Sequence, residues 1–432
     1  MTAVYLLTSV NLIILLSGQF VQVAPFIALS AGLLWIYVFG NCKPWRQVLF
    51  WMWLAFCILV AVQLFNIGGV TDYKGALKIQ FPRYSGLPFT VFPKITALTL
   101  ITWIAIAGLS VAIPYVDKDA VARCIITLGV LLSLLGITQH HIGIDSFAGV
   151  IPLKQPFFSV FAYVNNAGTF FLLCAGLALS RSWRNLPVVV LFAYSTWLTH
   201  TRFAWAWFGL FLIIKLTQEE TWETLSTGLC LVLSRSLWLS VIAMTTRRIM
   251  ESLRQEILGR DSEVEAGIHN GMRQTRITWP ILSTNIGLIT LSILIFWAVS
   301  DEVFKYRWHE YGINLSIIRE YPLFGVGCHG NSVFNWLYAE QWLHPFLLKN
   351  PNTHCDPLVF AVEYGLVGLS ILACIATKLI IGIKTRVVGS VALCAILALF
   401  THCLIDMPLR CPAVWVVFLS LTVVKSNSKR LM

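Results

Sequence analysis

The sequence predicts an all-α, polytopic integral membrane protein of about 12 transmembrane helices with one large outer loop. Three observations predict it. The chain is 57% apolar and only 12% charged, where a soluble domain carries about 25% charged residues to keep its surface wet. Its apolar residues fall into continuous stretches too long for strands and without the period-two alternation of a barrel. Its 432 residues, at about 20 per crossing, leave room for roughly a dozen crossings joined by short connections.

In order, the stretches run 3–18, 22–40, 47–67, 95–113, 121–139, 166–180, 186–200, 203–216, 280–300, 357–377, 387–403 and 411–424. The first lacks a basic leading segment and a small-residue cleavage site, and so reads as a retained helix. Seventeen Trp and twelve Tyr fit anchoring at the membrane interfaces. The eleven Cys are irregularly spaced and fall mostly in apolar runs, unlike a disulfide framework. A further stretch, 225–246, is apolar but carries Arg235 at its middle, where a charge is costly in lipid. Read as re-entrant or interfacial, it leaves twelve crossings, and 19 of the 31 basic residues then share one side against 11 on the other, with Arg235 apart. The positive-inside rule makes that side the cytoplasm, with both termini there. If 225–246 crossed instead, the Arg-rich segment 247–276 would move outside, against the same rule. The net charge of +11 therefore marks orientation rather than affinity for nucleic acid. Segment 247–276 interleaves six Arg with five acids and reads as a solvated, ion-paired helix. No repeat, low-complexity run or linker divides the chain, so 1–432 reads as a single membrane domain.

On the outer face lie three sizeable connections, 68–94, 140–164 and 301–356, and eight of the nine His (all but His269) fall at or near that face. The last connection is far longer than the roughly 4–6 residues typical of connections, and loops of that size are usually functional. Within it Arg319 is closely followed by Gly325 and Gly327, a glycine-permissive turn where backbone can approach a ligand. It ends in Asn350-Pro-Asn-Thr-His354-Cys-Asp356, and the next helix carries Gly365 and Gly368, three apart on one face and open to a second helix. Arg202, after Leu198-Thr-His-Thr201, starts the stretch 203–216 on the same outer side. Arginine offers a permanent charge and a planar fork suited to phosphate oxygens, so Arg202 and Arg319 suit a lipid-linked diphosphate. His354, titrating near neutrality, suits taking the proton of an attacking sugar hydroxyl. The bland alternative is that each Arg snorkels or caps a helix end.

At these residues the chain resembles the O-antigen ligase and O-antigen polymerase family, membrane enzymes that act on undecaprenyl-diphosphate-linked glycans. The family's Arg-x-x-x-Leu element reads Arg319 to Leu323 here, and its His followed by glycines eleven and fourteen positions on reads His354, Gly365 and Gly368. Pro322 to Gly327 is similar to a Pro-Leu-x-Gly-x-Gly element, Thr199 to Arg202 to a Thr-x-Ser-Arg-like helix start, and His402, Asp406 and Pro408 to a late His-x-x-x-Asp-x-Pro. The resemblance covers mainly 195–412, including the loop 301–356. Cys355 departs from the Asn, Ser or Gln that usually follows the family's His, and Thr201 stands where Ser is common.

The resemblance implies a GT-C-like, metal-independent, inverting glycosyltransferase of the bacterial inner membrane, with its active site on the periplasmic side and no cofactor. The implied partners are an undecaprenyl-diphosphate-linked glycan donor, a lipid A core or lipid-linked glycan acceptor, and the bilayer. Arg202 and Arg319 would engage the diphosphate, His354 would activate the acceptor, and Gly325, Gly327 and Asp356 would contact substrate. A ligase and a polymerase share this donor chemistry, and the spacings favour ligase marginally. A transporter is disfavoured because, Arg235 aside, the helix centres are nearly uncharged. A metal site at Cys328-His329 and His354-Cys355 is disfavoured by the adjacency of each pair, and a Cys328–Cys355 disulfide stays open as a further alternative.

Overall fold

The computed structural model describes most of residues 24–211, 301–340, 353–381 and 390–422, together with Leu343. The chain divides into two compact units, Met1–Phe211 with Ser300–Met432, and Leu212–Val299. The sequence does not announce this division, because no change in linker composition marks either boundary. The expected stretches 3–18 and 280–300, most of 203–216, the stretch 225–246 and the charged segment 247–276 lie outside the described residues.

The first unit is mostly helical. Its helices α1 (Ala24–Asn41), α2 (Val48–Gln63), α3 (Pro93–Ala112), α4 (Lys118–Ile142), α5 (Val164–Arg181) and α6 (Leu186–Leu198) each coincide with an apolar stretch. Their ends follow local chemistry. Pro93 opens α3, where its missing N–H is no loss, and the Asp117 carboxylate caps α4 by accepting from the Asp119 amide at 2.9 Å. Gly143, at φ +71°, closes α4 in the left-handed conformation. The connections that follow α2 and α4 carry small hairpins, β1 (Gly69–Tyr73) against β2 (Ala76–Gln80) and β3 (Ser146–Phe147) against β4 (Ile151–Pro152).

The later half contributes α7 (Asp301–Glu320), α8 (Gly330–Tyr338), α9 (Asp356–Ile381), α10 (Ser390–Cys403) and α11 (Pro412–Leu421). Among the described residues α3, α4 and α9 are long and apolar enough to cross a membrane, and α2, α6, α10 and α11 are shorter apolar helices. Helix α5 is buried on every side from Asn166 to Ser180 and packs against α4, α6, α10 and α11, as an all-round apolar helix must. Beside it Trp53, Phe56, Trp103, Tyr364 and Trp415 form an aromatic core, with Trp103 5.8 Å from Trp53, 5.2 Å from Phe56 and 5.7 Å from Trp415, centroid to centroid.

The connection 301–356, read from the sequence as one large loop, is largely helical where described, because α7 and α8 enclose a small core. Ile317, Val326 and Phe334 pack there against Phe89, Val91 and Val362. Frequent charged and polar residues along α7 hid it from a search for apolar stretches. Gly365 and Gly368, expected on one helical face, do not share it, since α9 breaks at Gly365 (φ 67°, ψ −175°). Around the break the chain pairs with 322–327. The Val326 and Gly327 amides donate to the Val362 and Glu363 carbonyls at 2.8 and 3.0 Å, and the Leu366 and Val367 amides to Pro322 and Leu323 at 2.8 and 3.2 Å. A side chain on Gly365 would collide with the Leu323 carbonyl, whereas Gly368 lies against Tyr364 and Leu59.

Candidate active site

The polar centre of the unit is Asp406, in the short link between α10 and the 3-10 turn Pro408–Arg410. Its side chain is 3% exposed. Oδ1 accepts from the Met407 amide at 2.8 Å, the Tyr163 hydroxyl at 3.1 Å and His354 Nδ1 at 3.3 Å. Oδ2 accepts from Asn165 Nδ2 at 2.6 Å, and His402 Nε2 lies 3.7 Å away. Burial alone would push this carboxyl up, but the His354 hydrogen bond, the two imidazoles and the Met407 amide outweigh it and hold Asp406 below the usual carboxylate range. Tyr163 moves the other way, raised by burial and by Asp406, and so stays a neutral hydroxyl that donates.

His354 is 15% exposed in its side chain. The ionised Asp406 favours a proton on Nδ1, which in the neutral ring leaves the lone pair on Nε2, the tautomer a general base needs. The segment around it is held from three sides. The Tyr311 hydroxyl donates to the His354 carbonyl at 3.1 Å and the Asp356 amide to the Asp406 carbonyl at 3.2 Å. Behind it, Asn331 Oδ1 accepts from the Thr353 amide at 3.2 Å and Asn335 Nδ2 donates to Thr353 Oγ1 at 3.0 Å, in a buried amide ladder completed by Asn314. His402 meets the Thr169 hydroxyl at 2.7 Å through Nδ1, which ties the carboxylate cluster to α5.

The cation of this site is Arg307. It donates through Nη1 to the Ile405 carbonyl at 2.6 Å, next to Asp406, and its charge acts on Glu310, Tyr311, Cys355 and Tyr163. Arg319 is exposed at the far end of α7. Twelve residues from Arg307, it stands about 18 Å further along the helix axis, so the structure does not bring it to His354. Arg202 lies outside the described residues, though its neighbour Thr201 donates to Asn165 Oδ1 at 3.5 Å.

The remaining expected residues face the chain itself. Gly325 and Gly327 have φ +67° and +89°, and a side chain there would strike the Val362 and Phe89 carbonyls, so their close approach is to protein backbone. Asp356 is fully buried and accepts from the Leu409 amide at 2.8 Å. Cys328 and Cys355 are separate, buried free thiols, pushed up by burial, Cys328 to about 12. Among the described residues no group of three or more His, Cys, Asp or Glu is placed to hold a metal ion.

No family model matches the chain, and no curated protein matches it in sequence.

Tyr163, Asn165, Arg307, Glu310 and Tyr311 join this site without having been singled out in the sequence. Asp406 did carry a signal, its position four residues after His402 and two before Pro408. The residues of α7 carried a weaker one: positions 307, 310, 311 and 314 repeat at helical spacing, so their side chains share one face.

Proposed function

We propose that the protein is a membrane glycosyltransferase of the O-antigen ligase-like kind, transferring a glycan from undecaprenyl diphosphate to a hydroxyl of an acceptor sugar. The observation that carries the reading is the His354–Asp406 pair, an imidazole held by its Nδ1 on a buried, ionised carboxylate. In this reading the acceptor hydroxyl oxygen attacks the anomeric carbon as His354 Nε2 takes its proton. The anomeric carbon's bond to the diphosphate oxygen breaks, its electron pair leaves with undecaprenyl diphosphate, and the configuration inverts. Arg307, beside the pair, meets the charge that develops on the leaving diphosphate, with Arg202 and Arg319 as the further cations that the family resemblance implies. The ionised carboxylate of Asp406 stabilises the imidazolium formed.

The arrangement proposed around this site is about 12 helices of GT-C-like plan in a bacterial inner membrane, both termini cytoplasmic and His354 on the periplasmic side. Three long apolar helices and the basic bias of one side support it. A polymerase acting on a second lipid-linked repeat uses the same donor chemistry and is the second reading, favoured by the placing of Asp406, from the late His402–Pro408 element, directly on His354.

A deletion strain tests both. Loss of glycan-capped lipid A with long lipid-linked polymer accumulating means ligase, and accumulation of single repeats means polymerase. Unchanged envelope glycans, or normal transfer by a well-expressed His354→Ala protein, refute the reading. Single-cysteine labelling should find Ser332 accessible from outside and Gly271 from inside.

A further inference from the structure

Helix α7 presents one face to the His354 segment. Arg307 reaches the Ile405 carbonyl, Tyr311 the His354 and Leu404 carbonyls, and Asn314 the Thr353 hydroxyl. Glu310 lies within this run of contacts, at the same helical spacing. It is 2% exposed, and among the described residues no side chain donates a hydrogen bond to either carboxyl oxygen. A carboxyl buried with so few donors is costly relative to water, and more so when it carries a charge. Stability does not explain keeping it there. Its charged neighbours are those of the site: burial lifts the carboxyl to about 7, while the His354 ring and main-chain amide and the Arg307 guanidinium favour the ionised form.

We propose that Glu310 is a second carboxyl of the His354 site, a positioning residue that sets the proton affinity of the imidazole. The inference rests on the transferase reading for its purpose but not for its physics. With Asp406 and Glu310 ionised, Arg307 charged and His354 neutral, the buried cluster carries one net negative charge. When His354 takes a proton the cluster becomes neutral. The proton transfer that the reaction requires thus relieves an uncompensated buried charge instead of creating one. Of the other groups facing the cluster, Tyr163 and Tyr311 with raised hydroxyls and the raised Cys355 thiol stay neutral, and the neighbouring Asp356, Arg410 and Glu363 are untouched by a change at Glu310. His402, on the far side of Asp406, is hydrogen-bonded to Thr169. Protonating Glu310 below neutrality removes its charge, so the base weakens as pH falls.

The test needs no substrate. In the full-length protein in detergent, the rate of His354 modification by diethyl pyrocarbonate is followed by peptide mass spectrometry as pH is varied. Glu310→Gln is expected to move the midpoint of His354 modification down by about one pH unit, the size of effect that an opposite charge within about 4–6 Å produces. Glu310→Asp, which keeps the charge, should restore most of it. A midpoint unchanged in a Glu310→Gln protein that elutes and melts like the parent overturns the proposal, as does an equal displacement in Glu310→Asp, which would mark a packing effect. If the midpoint moves but His354→Ala still transfers glycan in cells, the electrostatic inference stands and the transferase reading fails.

Discussion

Replacing Asp406 with Asn removes one oxygen and one charge from the group on which His354, Tyr163, Asn165 and the Met407 amide converge. The amide that results accepts through one oxygen and donates through its nitrogen. Wherever that nitrogen faces His354, Nδ1 has to accept, the imidazole proton moves to Nε2, and the free lone pair is lost. Where it faces Asn165, two donors oppose each other. Positioned general base catalysis contributes about 100- to 10,000-fold to rate, and most of that range should disappear with the tautomer. Loss of one buried charge-assisted acceptor adds about 2–3 kcal/mol of destabilisation. The pH arithmetic has a definite sign. Asp406 is held below its unfolded value, so its contribution is full at neutral pH and is lost only on strong acidification, as pH falls through its folded pKa. Asp406→Asn should therefore make the loss of stability shallower below about pH 4, where the unfolded Asp carboxyl protonates. The assays are glycan transfer in a complemented deletion strain, thermal unfolding in detergent between about pH 2 and 8, which spans the unfolded Asp value of about 3.9, and His354 modification. Transfer within a few-fold of the parent by a stable Asp406→Asn protein would refute the claim that this carboxylate orients the base.

Three further outcomes follow from the same geometry. Arg307→Ala should lower transfer about 100-fold or more, the scale of losing one preorganised charge, while Arg319→Ala, exposed and far along α7, should lower it much less; the reverse order in the same complementation assay would return the diphosphate role to Arg319. Gly365→Ala should destabilise by about 2 kcal/mol or more, read as a lower melting temperature, because its backbone conformation is essentially open only to glycine and a side chain strikes the Leu323 carbonyl. Arg410→Met should cost about 3–5 kcal/mol by stranding buried Glu363, with which Arg410 pairs, and adding Glu363→Gln should recover part of that; equal melting of single and double variants would show that the pair contributes nothing.

Apolar length was enough to place α1 to α6 and α9 to α11 within a few residues of where they lie. It failed at α7 and α8, whose apolar faces are narrow and interrupted because they cover a small separate core. The glycines show the same limit. Gly365 signalled a close approach, and one exists, but the partner is the 322–327 segment, and helical spacing with Gly368 pointed to the wrong kind of contact. For the site, residue chemistry singled out His354, and a local motif held Asp406. Tyr163 stands 191 positions from His354 and Asp406 52 positions, distances over which no periodicity in a single chain relates two side chains.

The sequence by itself determined that this chain is helical, that it is too apolar and too sparsely charged for a soluble fold, and which residues carry chemistry worth testing. Those properties are local, set by side-chain hydration and by spacing along one helix or stretch. Only the tertiary structure decided that Asp406 meets His354, that Arg307 rather than Arg319 stands beside it, and that Glu310 is buried on the α7 face that meets the His354 segment. Partner choice among polar groups is a consequence of desolvation. Once the helices exclude water, each buried charge must be met by whatever donor the packing brings within about 3 Å, however far away it lies in the chain.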